Sequence, residues 1–262
     1  MDINDPDSFR DQLKILCDEQ SLLGTILVAR EGFNGTIAGN ESAINVVLNF
    51  IRDRFKLNKE LEAFWADSKE APFRKMRVKV KKEIVSLGRP DVLPHRLSGK
   101  HVDVKQWNKL ISNPDVLVID TRNQYEIEVG TFPGAVNPEN NSFREFGDFA
   151  KKLAEEDTNR QLAMFCTGGI RCEKATALML ELGFSDVYHL KGGILKYLAE
   201  VNQSENKWSG ECFVFDSRIA VDRDLIEGEY QQCHACRRPL KSSDLESPHY
   251  LEGVSCEHCN KN

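Results

Sequence analysis

Up to residue 92 the chain alternates between two hydrophobic periods. Phe9, Leu13, Leu16 and Cys17 recur three or four apart and predict a helix over about 7–20. The run Gly24-Thr25-Ile26-Leu27-Val28-Ala29 is apolar and β-branched, and predicts a buried strand. Gly32-Phe33-Asn34-Gly35 has the composition of a turn, with Thr36-Ile37-Ala38 returning as the hairpin partner. Ile44, Val47, Leu48 and Ile51 then lie on one face of a second helix over about 41–55. Further strands are expected over 62–66 and 75–86. The order α-β-β-α-β-β predicts a small α+β sandwich of the ferredoxin-like kind. Such a sandwich needs a strand before its first helix, and the six residues ahead of Asp7 are too few to supply one. The expectation is either a natural chain that begins earlier or a sheet one strand short.

Gly88, Pro90, Pro94 and Gly99 mark 87–102 as a linker. Beyond it the pattern changes. Val116-Leu117-Val118-Ile119-Asp120, Leu162-Ala163-Met164-Phe165 and Val187-Tyr188-His189-Leu190 are continuous apolar runs with helical segments between them, the clearest over 171–182. Unbroken apolar strands alternating with helices predict a parallel, doubly wound α/β sheet over 103–202. Ligand sites in such sheets lie beyond the carboxyl ends of the strands, where Asp120, Cys166 and Gly192 would collect. The remainder, 203–262, is polar and rich in cysteine.

Composition narrows the class. The 262 residues are 40% hydrophobic, which is enough for a packed core, and the formal charge is −6, so the chain as a whole is not a general polyanion binder. No apolar run is long enough to span a membrane, and Met1–Pro6 lacks the basic and apolar parts of a signal peptide; the protein is expected to be cytoplasmic. Eight cysteines could suggest disulfides, but four form two Cys-x-x-Cys pairs and two flank one short loop, a pattern of metal ligands or catalytic thiols in a reducing compartment.

That loop is Cys166-Thr167-Gly168-Gly169-Ile170-Arg171, between a buried strand and a helix. The helix N-terminus offers unpaired N–H groups, the glycines let the backbone curl around a small anion, and Arg171 adds a cation. Together they favour a thiolate at Cys166, and the same cradle suits a persulfide. The spacing is Cys-x4-Arg, one residue shorter than the Cys-x5-Arg loop that phosphatases wrap around a tetrahedral oxyanion. The alternative is an inert thiol at a strand end. Cys172, the next residue, is either a resolving thiol for Cys166 or a helix-packing residue.

With these motifs in place the region resembles the rhodanese (sulfurtransferase) superfamily. Asp120-Thr121-Arg122, Tyr125-Glu126 and Gly130-Thr131-Phe132-Pro133-Gly134-Ala135 look like its first signature, and Leu190-Lys191-Gly192-Gly193-Ile194 like its last. Gly35-Thr36-Ile37-Ala38-Gly39, Pro72-Phe73-Arg74-Lys75-Met76, the Cys166–Ala175 segment and Trp208-Ser209-Gly210-Glu211-Cys212-Phe213-Val214-Phe215-Asp216 extend the resemblance over nearly the full length, to the rhodanese-domain tRNA uridine 5-hydroxylases. This resemblance implies an acylphosphatase-like first domain over 1–92, a rhodanese domain over 103–202, and oxygen-dependent formation of 5-hydroxyuridine at the tRNA wobble position, with the functional cysteine at Cys166.

Two features bear on partners. Cys233-His234-Ala235-Cys236 and Cys256-Glu257-His258-Cys259 have the spacing of a closed tetrahedral zinc site, which would let a polar tail fold. Loose reduced thiols, or a set that includes His234, His249 or His258, are the alternatives. Arg74, Lys75, Arg77, Lys79 and Lys81 belong to a basic strand whose outer face could follow a phosphate backbone such as the anticodon region of tRNA, or could simply be solvated; Phe33 and Asn34 could assist. No flavin, haem or nucleotide motif is present, and no facial triad of two histidines and a carboxylate has convincing spacing. Molecular oxygen enters as co-substrate through the resemblance alone. Two other readings remain: a sulfurtransferase that passes sulfane sulfur through a Cys166 persulfide to or from a donor protein or small thiol, and a non-catalytic binding module.

Overall fold

The computed structural model describes residues 2–57, 61, 63–68 and 70–260. They form two compact units, Met1–His95 and Arg96–Asn262. No helix among the described residues is long and apolar enough to cross a membrane.

In the first unit, α1 (Pro6–Glu19) starts where Asp5 accepts the Ser8 N–H at 3.0 Å and Pro6 supplies a fixed φ. β1 (Leu23–Ala29) and β2 (Gly32–Ala38) form an antiparallel hairpin joined by Arg30 and Glu31. After α2 (Glu41–Arg54), β3 (Met76–Val80) pairs parallel with β1, so the sheet order is β2-β1-β3. Phe9, Leu13 and Cys17 of α1 and Val47 and Ile51 of α2 pack with Ile26, Val28, Met76 and Val78 into one core. Both helices therefore cover the same face of the sheet, an α+β sandwich with three strands among the described residues.

Three sequence expectations change here. Gly32–Gly35 is strand, not turn, because Arg30 and Glu31 already reverse the chain. Gly35 is needed for close approach: a Cβ there would lie 2.5 Å from the Thr25 carbonyl oxygen and 2.8 Å from the Ile26 Cα. The strand expected over 62–66 does not form at residues 63–66, which are irregular; Glu62 lies outside the described residues. The strand expected over 75–86 stops at Val80. Past it, backbone donors turn to carboxylates: Ile84 N–H donates to Glu31 at 2.6 Å, and Leu87 and Gly88 donate to Glu83 at 3.2 and 2.9 Å.

The second unit holds β4 (Lys100–Val102), α3 (Val104–Leu110), β5 (Val116–Asp120), α4 (Gln124–Ile127), β6 (Gly130–Thr131), α5 (Phe146–Glu156), β7 (Gln161–Phe165), α6 (Ile170–Glu181), β8 (Val187–Leu190) and α7 (Gly193–Glu200). Strands β4-β8-β7-β5 make an all-parallel sheet in that order. Trp107 of α3 and Tyr197 and Leu198 of α7 pack with Val118, Ala163, Phe165 and Leu190 on one face. Helix α6 covers the other face, with α5 beside it. The tail adds short strands β9 (Ser209–Gly210), β10 (Cys212–Phe213), β11 (Ala220–Val221), β12 (Gln231–Gln232) and β13 (Pro239–Leu240), and α8 (Ser242–Leu245). Its β9 pairs with β6, and Cys212, Val214 and Val221 join the α3–α7 core.

Candidate active site and metal-binding clusters

Cys166 stands one residue past β7, at the carboxyl edge of the sheet, and is 1% exposed. Gly169 caps α6 with φ +91°, in the left-handed region that glycine tolerates, and its N–H donates to the Cys166 sulfur at 3.1 Å. The loop is held from above by the turn after β8. Ile194 and Leu195 N–H groups donate to the Cys166 and Thr167 carbonyls at 3.0 and 3.1 Å. Gly193 lies so close that a Cβ there would sit 2.6 Å from the Thr167 oxygen and 2.7 Å from the Gly169 nitrogen. Gly168 is exposed, Ile170 is half-buried, and Thr167 and Gly169 are buried.

Burial pushes the Cys166 thiol up, but it is outweighed by a hydrogen bond from the Cys172 thiol, the charge of Arg171, and the N–H groups of Cys172 and Arg171, which bring it down to about 6. Cys172 moves the opposite way, well above its ordinary value, because of burial and then the Cys166 thiolate it serves. Its sulfur also lies 3.5 Å from the Thr121 hydroxyl. Cys172 thus remains a thiol that donates to Cys166, so the structure brings these two predicted sulfurs together.

Arg171 is not a free cation. Its guanidinium makes a two-pronged pair with Glu126, at 2.6 and 2.7 Å, with neither side chain more than 10% exposed. Glu126 also accepts the Asn123 N–H at 3.1 Å, and burial, which would raise its carboxyl, is overcome by Arg171. A second buried pair builds the platform for Glu126. Asp120 takes Arg122 Nε and Nη2 at 2.9 and 2.7 Å, while Arg122 donates to the Glu126 and Gly130 carbonyls at 3.2 and 2.5 Å. The indole of Trp208 covers Arg122, its centroid 5.2 Å away. Asp120 is therefore a structural acid rather than a ligand-facing one. Sequence reasoning noted Tyr125-Glu126 only as a signature; its clamp on Arg171 was not foreseen. The exposed ring of Phe215 lies 6.0 Å from the Arg171 guanidinium and was likewise given no role.

The four tail cysteines converge. Cys233–Cys259 sulfurs are 3.9 Å apart, and Cys236–Cys256 and Cys256–Cys259 are 3.7 Å apart. A tetrahedron of thiolates about 2.3 Å from a zinc ion has edges of about 3.8 Å, so these four residues fit a metal ion. Cys256 N–H donates to the Cys259 sulfur at 3.3 Å. Leu240, Leu245 and Tyr250 pack around the cluster.

The structure also brings together two histidines and a carboxylate that no sequence spacing marks. His101 on β4, Glu173 on α6 and His189 on β8 present ligand atoms that all lie within 4.8 Å of one another. Separations of 72 and 88 positions, and of only 16 between Glu173 and His189, gave no motif to read.

On the basic strand, Arg74, Lys75, Arg77, Lys79 and Lys81 are all exposed. Arg77 and Lys79 pair in register with Thr25 and Leu27, on the sheet face opposite the helices. Asn34, opposite Leu27, shares that face, whereas Phe33 is occupied in the core against Phe9 and Phe55. Val80, in register with the buried Val28, is 36% exposed at the strand end.

Comparison with known proteins places this geometry. Residues 1–84 match the UPF0176 acylphosphatase like domain and residues 103–200 the rhodanese-like domain. The chain is 51% identical over 247 residues to a tRNA uridine(34) hydroxylase of Rhizobium leguminosarum bv. trifolii, covering 94% of this chain and 80% of that protein. The chain belongs to the tRNA uridine(34) hydroxylase family. A hydroxylase of the same name from Agrobacterium fabrum is also 51% identical, over 97% of this chain and 80% of its own length. Among solved structures, a rhodanese-like domain from Anabaena sp. matches with 18% identity and TM-score 0.35, over 44% of this chain and 80% of that one. A rhodanese-related protein from Thermoplasma volcanium matches with 19% identity and TM-score 0.32, over 38% and 92%.

Proposed function

We propose that this chain hydroxylates C5 of the wobble uridine of tRNA, uridine 34, with molecular oxygen as co-substrate and Cys166 as the reactive sulfur. The observation that carries the reading is 51% identity along almost the whole chain to proteins named for that reaction, together with a built thiolate cradle at Cys166. The exposed Phe215 ring beside the cradle suits stacking of an unstacked base, as enzymes that act on a base require. Cys172 is read as the resolving thiol, since its sulfur already hydrogen-bonds the Cys166 sulfur.

The reading divides labour among three segments. The 1–92 domain contacts tRNA through Arg74, Lys75, Arg77, Lys79 and Lys81, supported by their exposure and by the helix-free sheet face that Arg77 and Lys79 occupy. The 103–202 domain holds the chemistry. The 203–262 tail is stabilised by a structural zinc on Cys233, Cys236, Cys256 and Cys259, supported by the tetrahedral sulfur spacing. With tRNA as substrate, the enzyme is placed in the cytoplasm. Charge reversal of Lys75, Arg77 and Lys79 together should weaken tRNA binding and flatten its salt dependence in filter-binding titrations; unchanged affinity removes the strand from the interface.

The deciding experiment is nucleoside mass spectrometry of tRNA from a deletion strain lacking any parallel route to 5-hydroxyuridine. Complementation with wild type should restore 5-hydroxyuridine, and Cys166→Ala should not. Full rescue by Cys166→Ala overturns the role of the thiolate. The second reading, sulfurtransfer through a Cys166 persulfide to a thiol acceptor, is favoured by the Gly169 N–H that already points at the sulfur. It predicts thiosulfate-dependent persulfide on Cys166, detectable as a mass increase on the intact protein, and no 5-hydroxyuridine restored by wild-type complementation.

A further inference from the structure

Helix α6 carries the loop arginine and Cys172 in its first turn, and the next residue, Glu173, faces a different group. His101 and His189 are register partners on the parallel strands β4 and β8, and their rings are 4.1 Å apart. His101 Nε2 lies 2.8 Å from Glu173 Oε1. His189 is 1% exposed, and its two nitrogens are unequal: Nε2 meets the Gly99 carbonyl at 3.2 Å, whereas Nδ1 is buried with no hydrogen-bond partner among the described residues. A buried polar atom left unpaired is costly, and each such atom needs an explanation.

We propose that His101, Glu173 and His189 form a second metal site, distinct from the four-cysteine cluster, for a first-row divalent transition ion held by two imidazoles and a carboxylate.

Three observations support it. Adjacent ligands about 2.1 Å from an ion, at right angles, are about 3.0 Å apart, and the His101–Glu173 separation matches this. Donation of Nε2–H to the Gly99 carbonyl fixes the tautomer that leaves the Nδ1 lone pair for an ion, the arrangement that orients most metal-bound imidazoles. Finally, the ligands come from two strands and a covering helix, and their ligand atoms all lie within 4.8 Å of one another. Two imidazoles and a carboxylate suit Fe(II), Co(II), Ni(II) or Zn(II) rather than Mg²⁺ or Ca²⁺, and three protein ligands leave positions open to water or another small ligand. The site neighbours the Cys166 loop. His189 is in register with Met164, two residues before Cys166, one strand away, which strand geometry puts at on the order of 8 Å between backbones. The inference does not depend on which reaction Cys166 serves.

The test uses the full chain, reduced and anaerobic, preloaded with one equivalent of zinc, and Co(II) as probe, followed by equilibrium dialysis and visible absorption. Wild type should take up one further equivalent of Co(II) with ligand-field bands and no thiolate charge-transfer band. His101→Ala and Glu173→Gln should each weaken that uptake at least tenfold while the zinc stays bound. His101 is at the exposed edge of the sheet, so its variant tests ligation without disturbing the core. No second equivalent in wild type, a thiolate charge-transfer band on the second ion, or unchanged uptake by His101→Ala would each overturn the site.

Discussion

Cys166 and Cys212 are both fully enclosed, both in the same unit, and both beside a buried arginine, yet their acidities diverge. Cys166, in the loop before α6, is brought down to about 6. Cys212, on β10, is pushed up to about 12, first by burial and then by Glu126 and Asp120, against the pull of Arg122 and Arg171. The difference is in what meets the sulfur. Cys166 receives backbone N–H groups at a helix start and a neighbouring S–H donor. The Cys212 sulfur instead donates to the Phe213 carbonyl at 3.7 Å, an acceptor that favours the thiol. A nearby cation is therefore not sufficient to make a thiolate, particularly when Asp120 or Glu126 already neutralises it; directed donors decide.

The widest separation should appear in activity. Cys166→Ala is expected to lower 5-hydroxyuridine formation by more than a hundredfold with purified enzyme and tRNA, whereas Cys212→Ala should stay within about twofold and cost roughly 1–2 kcal/mol of stability through the small cavity it leaves. A large activity loss in Cys212→Ala would break the contrast.

Next is the contrast in pH. The far-ultraviolet thiolate absorbance lost in Cys166→Ala should titrate with a midpoint near 6 in the folded protein, and Cys212 should contribute none below pH 10. The effects on stability have opposite signs. The depressed Cys166 favours the folded state above its unfolded value near 8.5, and that advantage is lost as pH falls toward 6. The raised Cys212 favours the folded state below its unfolded value and loses the advantage as pH rises toward 12. Urea unfolding of wild type and Cys166→Ala across pH 5.5–9 should show their difference growing with pH; a flat difference would mean the thiolate is not preferentially held.

Glu126→Gln attacks the neutralised cation directly. Removing the carboxylate leaves Arg171 buried without its charge partner, at a cost of about 3–5 kcal/mol. The unmasked cation should also move the Cys166 midpoint further down. Thermal unfolding reads the first effect and thiolate absorbance the second. A Tm unchanged within error would show that water or Phe215 replaces Glu126.

These contrasts were unequally legible in the sequence. The Cys166 loop and the two cysteine pairs are contiguous motifs, and contiguity is why their chemistry could be read before the fold. The Arg171–Glu126 clamp joins residues 45 apart, and the His101–Glu173–His189 set draws on three elements, so neither leaves a local pattern. The parallel sheet followed from its unbroken apolar strands. The first unit was harder. Glycines 32 and 35 read as a turn, but Gly35 is there because two backbones touch, and a glycine looks the same in sequence for either purpose. Phe33, offered to RNA by the same misreading, belongs to the core.

The smallest expected effect isolates loop shape from charge. Gly193 carries φ +67° and contacts the loop backbone where a Cβ would lie 2.6 Å from the Thr167 oxygen. Gly193→Ala adds no charge and touches neither Arg171 nor Glu126, but it must push the loop away from α7 and strain its own backbone, costing about 1–3 kcal/mol. If directed N–H groups set the Cys166 acidity, this displacement should lengthen the Gly169 N–H contact with the sulfur and raise the titration midpoint of Cys166, while leaving Cys212 silent below pH 10. If the Arg171 charge were the main cause, the midpoint would stay where it is, since the charge does not move. Thiolate absorbance of Gly193→Ala against pH separates the two: geometry predicts a raised midpoint and charge an unchanged one, whereas Glu126→Gln, which alters the charge, should lower it.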